Sequence, residues 1–207
     1  VCSPGLEKVL SKELQELKFQ NLMPITGGVE FSGDWFQVWR ANVHLRTATR
    51  ILVRLGEFYA VHLAQLDKRA CKFPWPKYLQ AQHPVRVEVV SKKSKIYHAR
   101  AAAERIENAI VNSVGNRISK DADICIKVRI EKNLVEISID STGEGLHKRG
   151  YKSFTGKAPM RETLASAFLK MCDFDPAQPL IDPMCGSGTF VIEAAEIAIG
   201  GAPGRRR

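Results

Sequence analysis

The sequence contains no uninterrupted apolar run near the roughly 20 residues of a membrane-spanning helix, so it predicts no membrane partner. Its five cysteines are far apart, none belongs to a Cys-x-x-Cys pair, and no group of His and Cys has zinc-site spacing. The first residues show no signal-peptide pattern and no initiator Met, which predicts that residues precede them. These absences exclude a disulfide-linked miniprotein, give no reason to expect a metal, and predict reduced thiols in a cytoplasmic protein.

What remains is a globular composition with a basic excess. With 44% hydrophobic and 26% charged residues, the 207 residues suffice for one or two domains. The net charge of +9 is uneven: residues 1–80 have 11 basic and 7 acidic residues, residues 81–157 have 15 and 9, and residues 158–207 have 5 and 6. An excess confined to the first three quarters predicts either a polyanionic partner, whose phosphates bind Lys and Arg, or a merely soluble basic surface.

The first 80 residues predict alternating helices and strands. Apolar residues at helical spacing predict a helix over residues 4–18. Asp34 can cap a second helix, whose apolar face is expected to carry Trp35, Val38, Trp39 and Val43. The other expected elements are a strand over residues 29–31, a strand over residues 51–58 and a helix over residues 62–71, which Pro74 and Pro76 terminate.

The middle of the chain has the clearest patterns. Apolar and charged residues alternate over residues 85–89, a basic loop follows at residues 91–95, and a helix is predicted over residues 99–114. Residues 124–131 and 134–140 both alternate and are joined by two residues, Lys132 and Asn133, which predicts a β-hairpin with positive φ at the Asn. The glycine-rich, basic residues 143–158 are too polar for a core element and predict a linker.

A glycine-rich turn near the C-terminus carries the chemistry. The apolar residues Leu180 and Ile181 predict a strand, residues 185–189 a tight loop, and the residues from Phe190 a helix. A strand, a glycine turn and a helix bring a ligand to the carboxyl end of a strand in α/β sheets. The spacing matches neither the dinucleotide fingerprint nor the P-loop. The alternative is a turn whose glycines serve packing alone.

The string Asp-Pro-Met-Cys-Gly-Ser-Gly-Thr over residues 182–189 resembles motif I of S-adenosylmethionine-dependent methyltransferases that modify nucleic-acid amines. The resemblance implies that the backbone of residues 186–188 faces the methionine part of the cofactor and that Thr189 caps the helix. It also implies that Asp182 anchors the cofactor's amino group or an ordered water. The Ala-Pro-Met-Arg-Glu-Thr-Leu-Ala stretch is expected to be a helix that begins at Pro159 and lines the site, although Glu162 can also serve the helix dipole alone. The expected cofactor-binding residues are Asp182, Pro183, Cys185, Gly186, Ser187, Gly188, Thr189 and Glu162.

With Leu-His-Lys-Arg-Gly-Tyr at residues 146–151, these motifs resemble the THUMP-domain RNA methyltransferases over essentially the whole chain. The resemblance is specifically to the bacterial large-subunit rRNA methyltransferases that modify the guanine exocyclic amine. It implies an α+β fold with a ferredoxin-like N-terminal segment, a THUMP domain and the start of a Rossmann-like methyltransferase domain. The expected boundaries are residues 1–60, 61–145 and 158–207, with a linker at residues 146–157.

The resemblance implies RNA, most specifically large-subunit rRNA, as the partner of the basic part. Lysines of the loop after residue 91 can contact phosphates, and Tyr97 or His98 can stack on a base or sugar. The alternatives are a solvated loop with Tyr97 in the core, and linker cations that only aid solubility. The expected RNA-binding residues are Lys92, Lys93, Lys95, Tyr97, His98, Arg100, Lys148, Arg149 and Lys152.

The chain departs from this family in its methyltransferase part, which is short and lacks expected motifs. The family's Asn-Pro-Pro-Tyr motif, which holds the target amine, is absent, because the sequence contains no Asn-Pro. About 50 residues after the linker provide one strand and two helices, which leaves Phe190, Val191 and Ile192 without a partner. We therefore expect no catalytic residue here and a fragment of a longer enzyme, inactive by itself. A natural RNA-binding module, or an enzyme acting on tRNA or on an adenine amine, are the alternatives.

Overall fold

A computed structural model of the chain describes residues 1–152, 156 and 159–205. In chain order the elements are α1 (Glu7–Glu16), β1 (Gln20–Ile25), β2 (Gly28–Ser32), α2 (Trp35–His44), β3 (Leu52–Tyr59), α3 (Leu63–Ala70), a 3-10 turn (Trp75–Lys77), β4 (Val85–Lys92), α4 (Ala99–Val114), β5 (Ile124–Glu131), β6 (Leu134–Asp140), α5 (Glu162–Met171) and α6 (Thr189–Ala198). They form two compact units, the first made of Val1–Ile51 with Glu144–Arg207 and the second of Leu52–Gly143. Over the described residues, every helix is too short or too polar to cross a membrane.

The first unit has a core built from both of its chain segments. Leu10 and Leu14 of α1 pack in one apolar cluster with Leu146 and Ala167, which come from the second segment. Helix α1 is shorter than the predicted span of residues 4–18 because Gly5 and Lys18 have φ of 92° and 58°. A right-handed helix cannot include residues with positive φ. The helix therefore begins after the first and ends before the second.

A β-hairpin follows α1, of which the sequence predicted only the second strand. β1 pairs antiparallel with β2, and Ile25 faces Gly28 across the turn. The side chains of β1 are exposed or half-buried throughout, and the strand contains Pro24. Without apolar alternation, and with a residue that lacks a backbone N–H, β1 carries neither of the usual strand signals.

Helix α2 begins as predicted, but its aromatic face points to solvent. The Asp34 carboxylate accepts a hydrogen bond from the Gln37 N–H at 3.0 Å and caps the helix. The core face carries Ala41, which is buried, and the half-buried Val38. Of the residues expected on the apolar face, Trp35, Trp39 and Val43 are all exposed. Helical spacing identifies a stripe of apolar residues, but it does not say which of two apolar stripes faces the core.

The second unit is a four-stranded sheet covered by helices. Its strand order is β3-β6-β5-β4, in which β4 and β5 are parallel and the other pairs antiparallel. Helix α4 lies in the connection between the parallel strands, as a parallel pair requires a crossover. Its bounds match the predicted residues 99–114, and Ala102, Ile106, Ala109 and Ile110 are buried in the apolar cluster over the sheet.

The predicted hairpin of β5 and β6 is confirmed. Glu131 pairs with Leu134, so the turn consists of Lys132 and Asn133 alone. Their φ values are 49° and 67°, as a two-residue turn between twisted strands requires. The turn thereby places one lysine and one asparagine at the same end of the sheet.

The five cysteines are free thiols. Cys2 and Cys125 are buried, whereas Cys71, Cys172 and Cys185 are exposed. Burial raises the pKa of Cys125 to about 11, so this thiol is neutral at physiological pH.

Candidate functional site

The glycine-rich loop after residue 181 is a compact turn with an open surface. The Gly188 N–H donates to the Cys185 carbonyl at 2.7 Å, and the Met184 N–H donates to Asp182 Oδ1 at 3.1 Å. Gly186 and Gly188 have φ of 53° and 70°. A Cβ added at either would meet no atom closer than 3.7 Å, so backbone conformation, not packing, requires the glycines.

Thr189 is the first residue of α6 and not its cap. The N-cap is Gly188, in the left-handed conformation and with no side-chain cap bond. Thr189 is buried, and its hydroxyl donates to the Met160 carbonyl at 3.3 Å. The predicted capping role was wrong; the hydroxyl instead ties the loop to the residues that precede α5.

The strand predicted at Leu180 and Ile181 does not form. Ile181 is 87% exposed, and no strand of the described residues lies beside it. A strand needs a hydrogen-bonded neighbour, and this segment has none among them. Phe190 and Ile192, expected to lack partners, are half-buried: the Phe190 ring lies 6.4 Å from the Phe168 ring, and Ile192 lies beside Gly188.

Glu162 and Lys152 form an ion pair beside the loop. Glu162 begins α5, three residues later than predicted, and its Oε1 lies 3.0 Å from Lys152 Nζ. The ammonium also donates to the Met160 carbonyl at 3.2 Å. Because the Lys152 side chain is 7% exposed and held in this way, its expected contact with RNA does not fit the structure. The stretch that precedes α5 contains residues 157 and 158, which lie outside the described residues.

These residues fit the cofactor that the resemblance implies. The loop from Asp182 to Gly188 is exposed or half-buried along its length, so a ligand can reach its backbone. It ends at the N-terminus of α6, where backbone N–H groups favour a carboxylate. The Asp182 carboxylate at the loop's start is of the right charge for an ammonium group. The loop thus offers complementary groups to an amino acid moiety.

Arg149, expected to bind RNA, lies in the interior of the first unit. One guanidinium nitrogen donates to Glu193 Oε2 at 2.8 Å and the other to the Arg46 carbonyl at 2.6 Å. Ser166 also donates to Glu193, and the guanidinium of Arg46 lies 3.6 Å from it. Since Arg149 is 2% exposed, the expected RNA contact was wrong. The linker that the sequence predicted therefore contains a core residue.

Burial has the largest effect on the pKa values of Glu193 and Arg149. It raises the pKa of Glu193, against the opposing effect of Arg149, and it lowers the pKa of Arg149. Glu193 and Arg46 were not predicted from the sequence as site residues. The signal for Glu193 was its position inside the apolar run of α6, where a carboxylate needs a partner.

The basic loop between β4 and α4 exposes the residues that were expected to bind RNA. Lys92, Lys93 and Lys95 are exposed, and Tyr97 is 75% exposed, so the alternative of a core tyrosine does not hold. The rings of Tyr97 and His98 lie 4.2 Å apart, with an angle of 45° between their planes. Arg100 is also exposed, and its guanidinium lies 3.3 Å from Glu104.

The hairpin turn of β5 and β6 supports this loop. Asn133 Oδ1 accepts hydrogen bonds from the Ser94 hydroxyl and from the Lys95 N–H, both at 3.0 Å. Lys132, the other turn residue, is exposed and adds a cation beside the loop. Neither turn residue was among the expected site residues, because the pairing of the turn with the loop is long-range. We call Lys92, Lys93, Lys95, Tyr97, His98 and Lys132 the basic loop surface.

Lys148 is the remaining linker cation. It is exposed, and its ammonium lies 3.1 Å from Glu144. Within the described part of the chain, no group of three His, Cys, Asp or Glu residues could hold a metal ion.

Three family models match successive parts of the chain. Residues 1–52 match the RlmL ferredoxin-like domain, residues 60–140 the THUMP domain, and residues 149–207 the RMKL-like methyltransferase domain. The arrangement corresponds to the two units, because the THUMP match lies in the second unit and the other two in the first.

Curated relatives align along the whole chain. Ribosomal RNA large subunit methyltransferase K/L of Vibrio cholerae is 36% identical over 214 residues, which are 100% of this chain and 30% of the relative. A Synechocystis protein that is named as an RNA methyltransferase is 35% identical over 208 residues, which are 97% of this chain and 54% of the relative. The chain therefore spans about half the length of the Synechocystis relative and under a third of the Vibrio relative.

Solved structures share the fold. A Listeria monocytogenes structure, described as that of a predicted N6-adenine-specific DNA methylase, superposes with a TM-score of 0.91 at 36% identity, over 100% of this chain and 56% of its own. SMU.472, whose structure was determined in complex with SAH, superposes with a TM-score of 0.90 at 31% identity, over 100% of this chain and 56% of its own. TrmN of Thermus thermophilus, at 24% identity and a TM-score of 0.79, covers 95% of this chain and 60% of its own and supports the fold alone.

Proposed function

The chain matches the RlmL ferredoxin-like, THUMP and RMKL-like methyltransferase domains, and from this premise we propose that it is part of a large-subunit rRNA methyltransferase. In this proposal the second unit binds RNA and the first unit binds S-adenosylmethionine. The methyl acceptor is a guanine exocyclic amine. The observation that carries the proposal is the basic loop surface, which exposes cations around the tilted pair of rings of Tyr97 and His98.

The RNA-binding role follows from the chemistry of that surface. Lysine ammonium groups neutralise phosphates without reading the sequence. The exposed Tyr97 and His98 rings offer faces on which an unpaired base can stack. Asn133 holds the loop in place, so the cations are presented before RNA arrives. Preorganisation of this kind lowers the ordering cost of binding.

The cofactor-binding role follows from the glycine loop. S-adenosylmethionine supplies the methyl group as an activated sulfonium, and SMU.472 was determined with SAH, the product left after transfer. Asp182 and the N–H groups at the start of α6 are the groups that would hold its amino acid part. The guanine amine is a weak nucleophile, because its lone pair is delocalised, so transfer depends on orientation. An unpaired or extruded guanine fits this requirement.

Two other functions are supported by specific observations. The Listeria protein is described as specific for N6 of adenine in DNA, so a different base is a real alternative. The sequence also contains no Asn-Pro, so the 207 residues lack the family's amine-binding motif. We propose that these residues by themselves bind RNA without transferring a methyl group.

The proposal is tested by measuring binding and transfer separately. Binding to 23S rRNA transcribed in vitro is measured for the chain, for the double variant Lys93→Glu with Lys95→Glu, and for a control, Lys68→Glu with Lys72→Glu. All four lysines are exposed, and the control pair lies on and after α3. We expect the affinity for 23S rRNA to fall by about tenfold or more in the loop variant and by less than about twofold in the control. Equal losses would refute the loop as the RNA-binding surface.

Transfer is measured with radiolabelled S-adenosylmethionine on the same RNA. The chain and the product of its complete gene are compared, and the modified nucleoside is identified by mass spectrometry. N2-methylguanosine from the complete product supports the proposed acceptor, whereas N6-methyladenosine would replace guanine by adenine. Turnover by the 207 residues alone would contradict the proposed inactivity.

A further inference from the structure

Helix α2 carries an exposed apolar stripe that neither proposed binding role uses. Trp35, Phe36 and Trp39 are 55%, 62% and 63% exposed, and Val43 is exposed as well. Residues 35, 39 and 43 are spaced by four, so they form one line along the helix. We call Trp35, Phe36, Trp39 and Val43 the α2 stripe. Four exposed apolar residues that are neighbours on one helix indicate a surface that another molecule covers.

The stripe is continuous with an interface inside the first unit. The Gly204 N–H donates to the Val43 carbonyl at 2.9 Å, so the residues after α6 lie against the C-terminal end of α2. The approach is close: a Cβ at Gly204 would lie 2.6 Å from the Asn42 carbonyl oxygen. The Arg46 guanidinium also donates to the Glu196 carbonyl at 3.0 Å. The methyltransferase part already packs against the Val43 end of the stripe.

The methyltransferase part has exposed apolar residues of its own. Ile181, Met184 and Ile199 are 87%, 89% and 70% exposed. The relatives from Synechocystis and Listeria contain nearly as much chain again outside the region matched here. A complete methyltransferase domain therefore brings further protein to a unit that has apolar surface on both of its segments.

The charge around the stripe does not favour RNA. Asp34 and Arg40 are the charged residues of positions 34–44, so the helix has no net charge from them. The Arg40 guanidinium already donates to the Leu17 carbonyl and lies 4.8 Å from the Phe19 ring centre. A surface for single-stranded RNA combines aromatic rings with an excess of cations, and the stripe lacks the excess.

We propose that the α2 stripe is the docking surface for the remaining part of an RMKL-like methyltransferase domain, the part that the longer relatives contain and these residues do not. The inference rests on the assignment of residues 149–207 to that domain. The occupant is a folded, apolar protein surface contiguous with the segment around Gly204. The ferredoxin-like segment would then stabilise the methyltransferase domain directly, in addition to any role with RNA.

The experiment uses the three tryptophans as reporters. The chain is produced with 5-fluorotryptophan, so that its fluorine spectrum shows only Trp35, Trp39 and Trp75. Trp75 is fully buried and serves as the internal reference. The unlabelled remainder of the Listeria relative is added as a separate chain after circular dichroism shows it to be folded. We expect the resonances of Trp35 and Trp39 to move and that of Trp75 to stay.

A matched pair of variants controls for charge alone. Trp39→Glu is expected to weaken the association by about tenfold or more, whereas Tyr59→Glu, which changes a similarly exposed aromatic residue of the second unit, leaves it unchanged. If the remainder does not fold alone, it is fused to the chain, and Trp39→Glu must then lower the melting temperature of the fusion but not of the chain.

Three outcomes would overturn the proposal. Tryptophan resonances that stay in place in a folded fusion would show that the stripe is not covered by this domain. Shifts that depend on protein concentration would assign the stripe to a second copy, and shifts on addition of RNA would assign it to nucleic acid. Because the expected resonance shifts on adding or fusing the remainder are measured without RNA and without methyl transfer, a failure here is distinct from a failure of the proposed function.

Discussion

The neighbours Lys148 and Arg149 have opposite environments, although the sequence presents them as one basic pair. The Lys148 ammonium is exposed beside Glu144, whereas the Arg149 guanidinium is bonded to Glu193 inside the first unit. Residue type predicted a cation, but the depth of each side chain depends on contacts more than 40 residues away. The same long-range dependence explains why Glu193 was not predicted as its partner.

Arg149→Ala is expected to lower the free energy of unfolding by about 3–5 kcal/mol, because Glu193 would remain buried without its closest charged partner. Lys148→Ala should change it by less than about 0.5 kcal/mol, as an exposed substitution does. Urea denaturation of both variants measures the difference. An Arg149→Ala variant with native stability but weaker RNA binding would restore the original interpretation of Arg149 as an RNA contact.

At the scale of elements, the sequence predicted the helices and strands whose pattern lies within one continuous segment, and it failed where contacts distant in sequence decide. The hairpin of β5 and β6 was predicted within a residue because alternation and turn lie in one continuous segment. The face of α2 that packs in the core was not predicted, since the helix has two apolar faces and only tertiary packing decides which of them is buried. The glycine loop was identified from its motif alone, but the strand before it needs neighbours outside its own sequence. The contact between Asn133 and the basic loop also joins segments far apart in sequence.

Asn133→Gly isolates the role of that contact, since glycine retains positive φ but removes the side-chain acceptor. We expect the Lys95 amide to lose protection from hydrogen exchange, because its bond to Oδ1 is lost. The variant removes the two hydrogen bonds that Oδ1 accepts from the loop, and RNA binding should weaken by about fivefold, which corresponds to about 1 kcal/mol. In the hydrogen-exchange measurement, Lys132→Gly at the other turn position is the control for turn flexibility, because it leaves the Asn133 acceptor in place. Protection that persists in Asn133→Gly would show that the loop is held by other contacts.

At the scale of the whole molecule, the larger net charge lies on the unit that is proposed to bind RNA. Residues 52–143 have 16 basic and 10 acidic residues, whereas residues 1–51 and 144–207 together have 15 and 12. The family resemblance predicted the order of three domains, which the family models confirm. Composition alone could not have done so, because a basic surface is compatible with many folds.

Binding of 23S rRNA by the chain should therefore depend steeply on salt. Each phosphate contact contributes about −0.7 to −0.9 to the slope of log affinity against log salt concentration. The four lysines of the basic loop surface predict a slope of roughly −3, measured by fluorescence anisotropy between about 50 and 200 mM KCl. Lys93→Glu with Lys95→Glu should flatten it by about 2. A slope near zero would exclude phosphate contacts as the source of affinity.

The chain leaves the first unit at Ile51 and returns to it at Glu144, so the second unit is an insertion within the first. During synthesis the N-terminal residues emerge from the ribosome well before Leu146 and Ala167, with which they share a core. The inserted unit has all of its strands by Asp140 and can fold first. We expect an order of folding that reverses the usual vectorial order, in which the leucines of the N-terminal segment stay exposed until the second segment of the first unit has been synthesised.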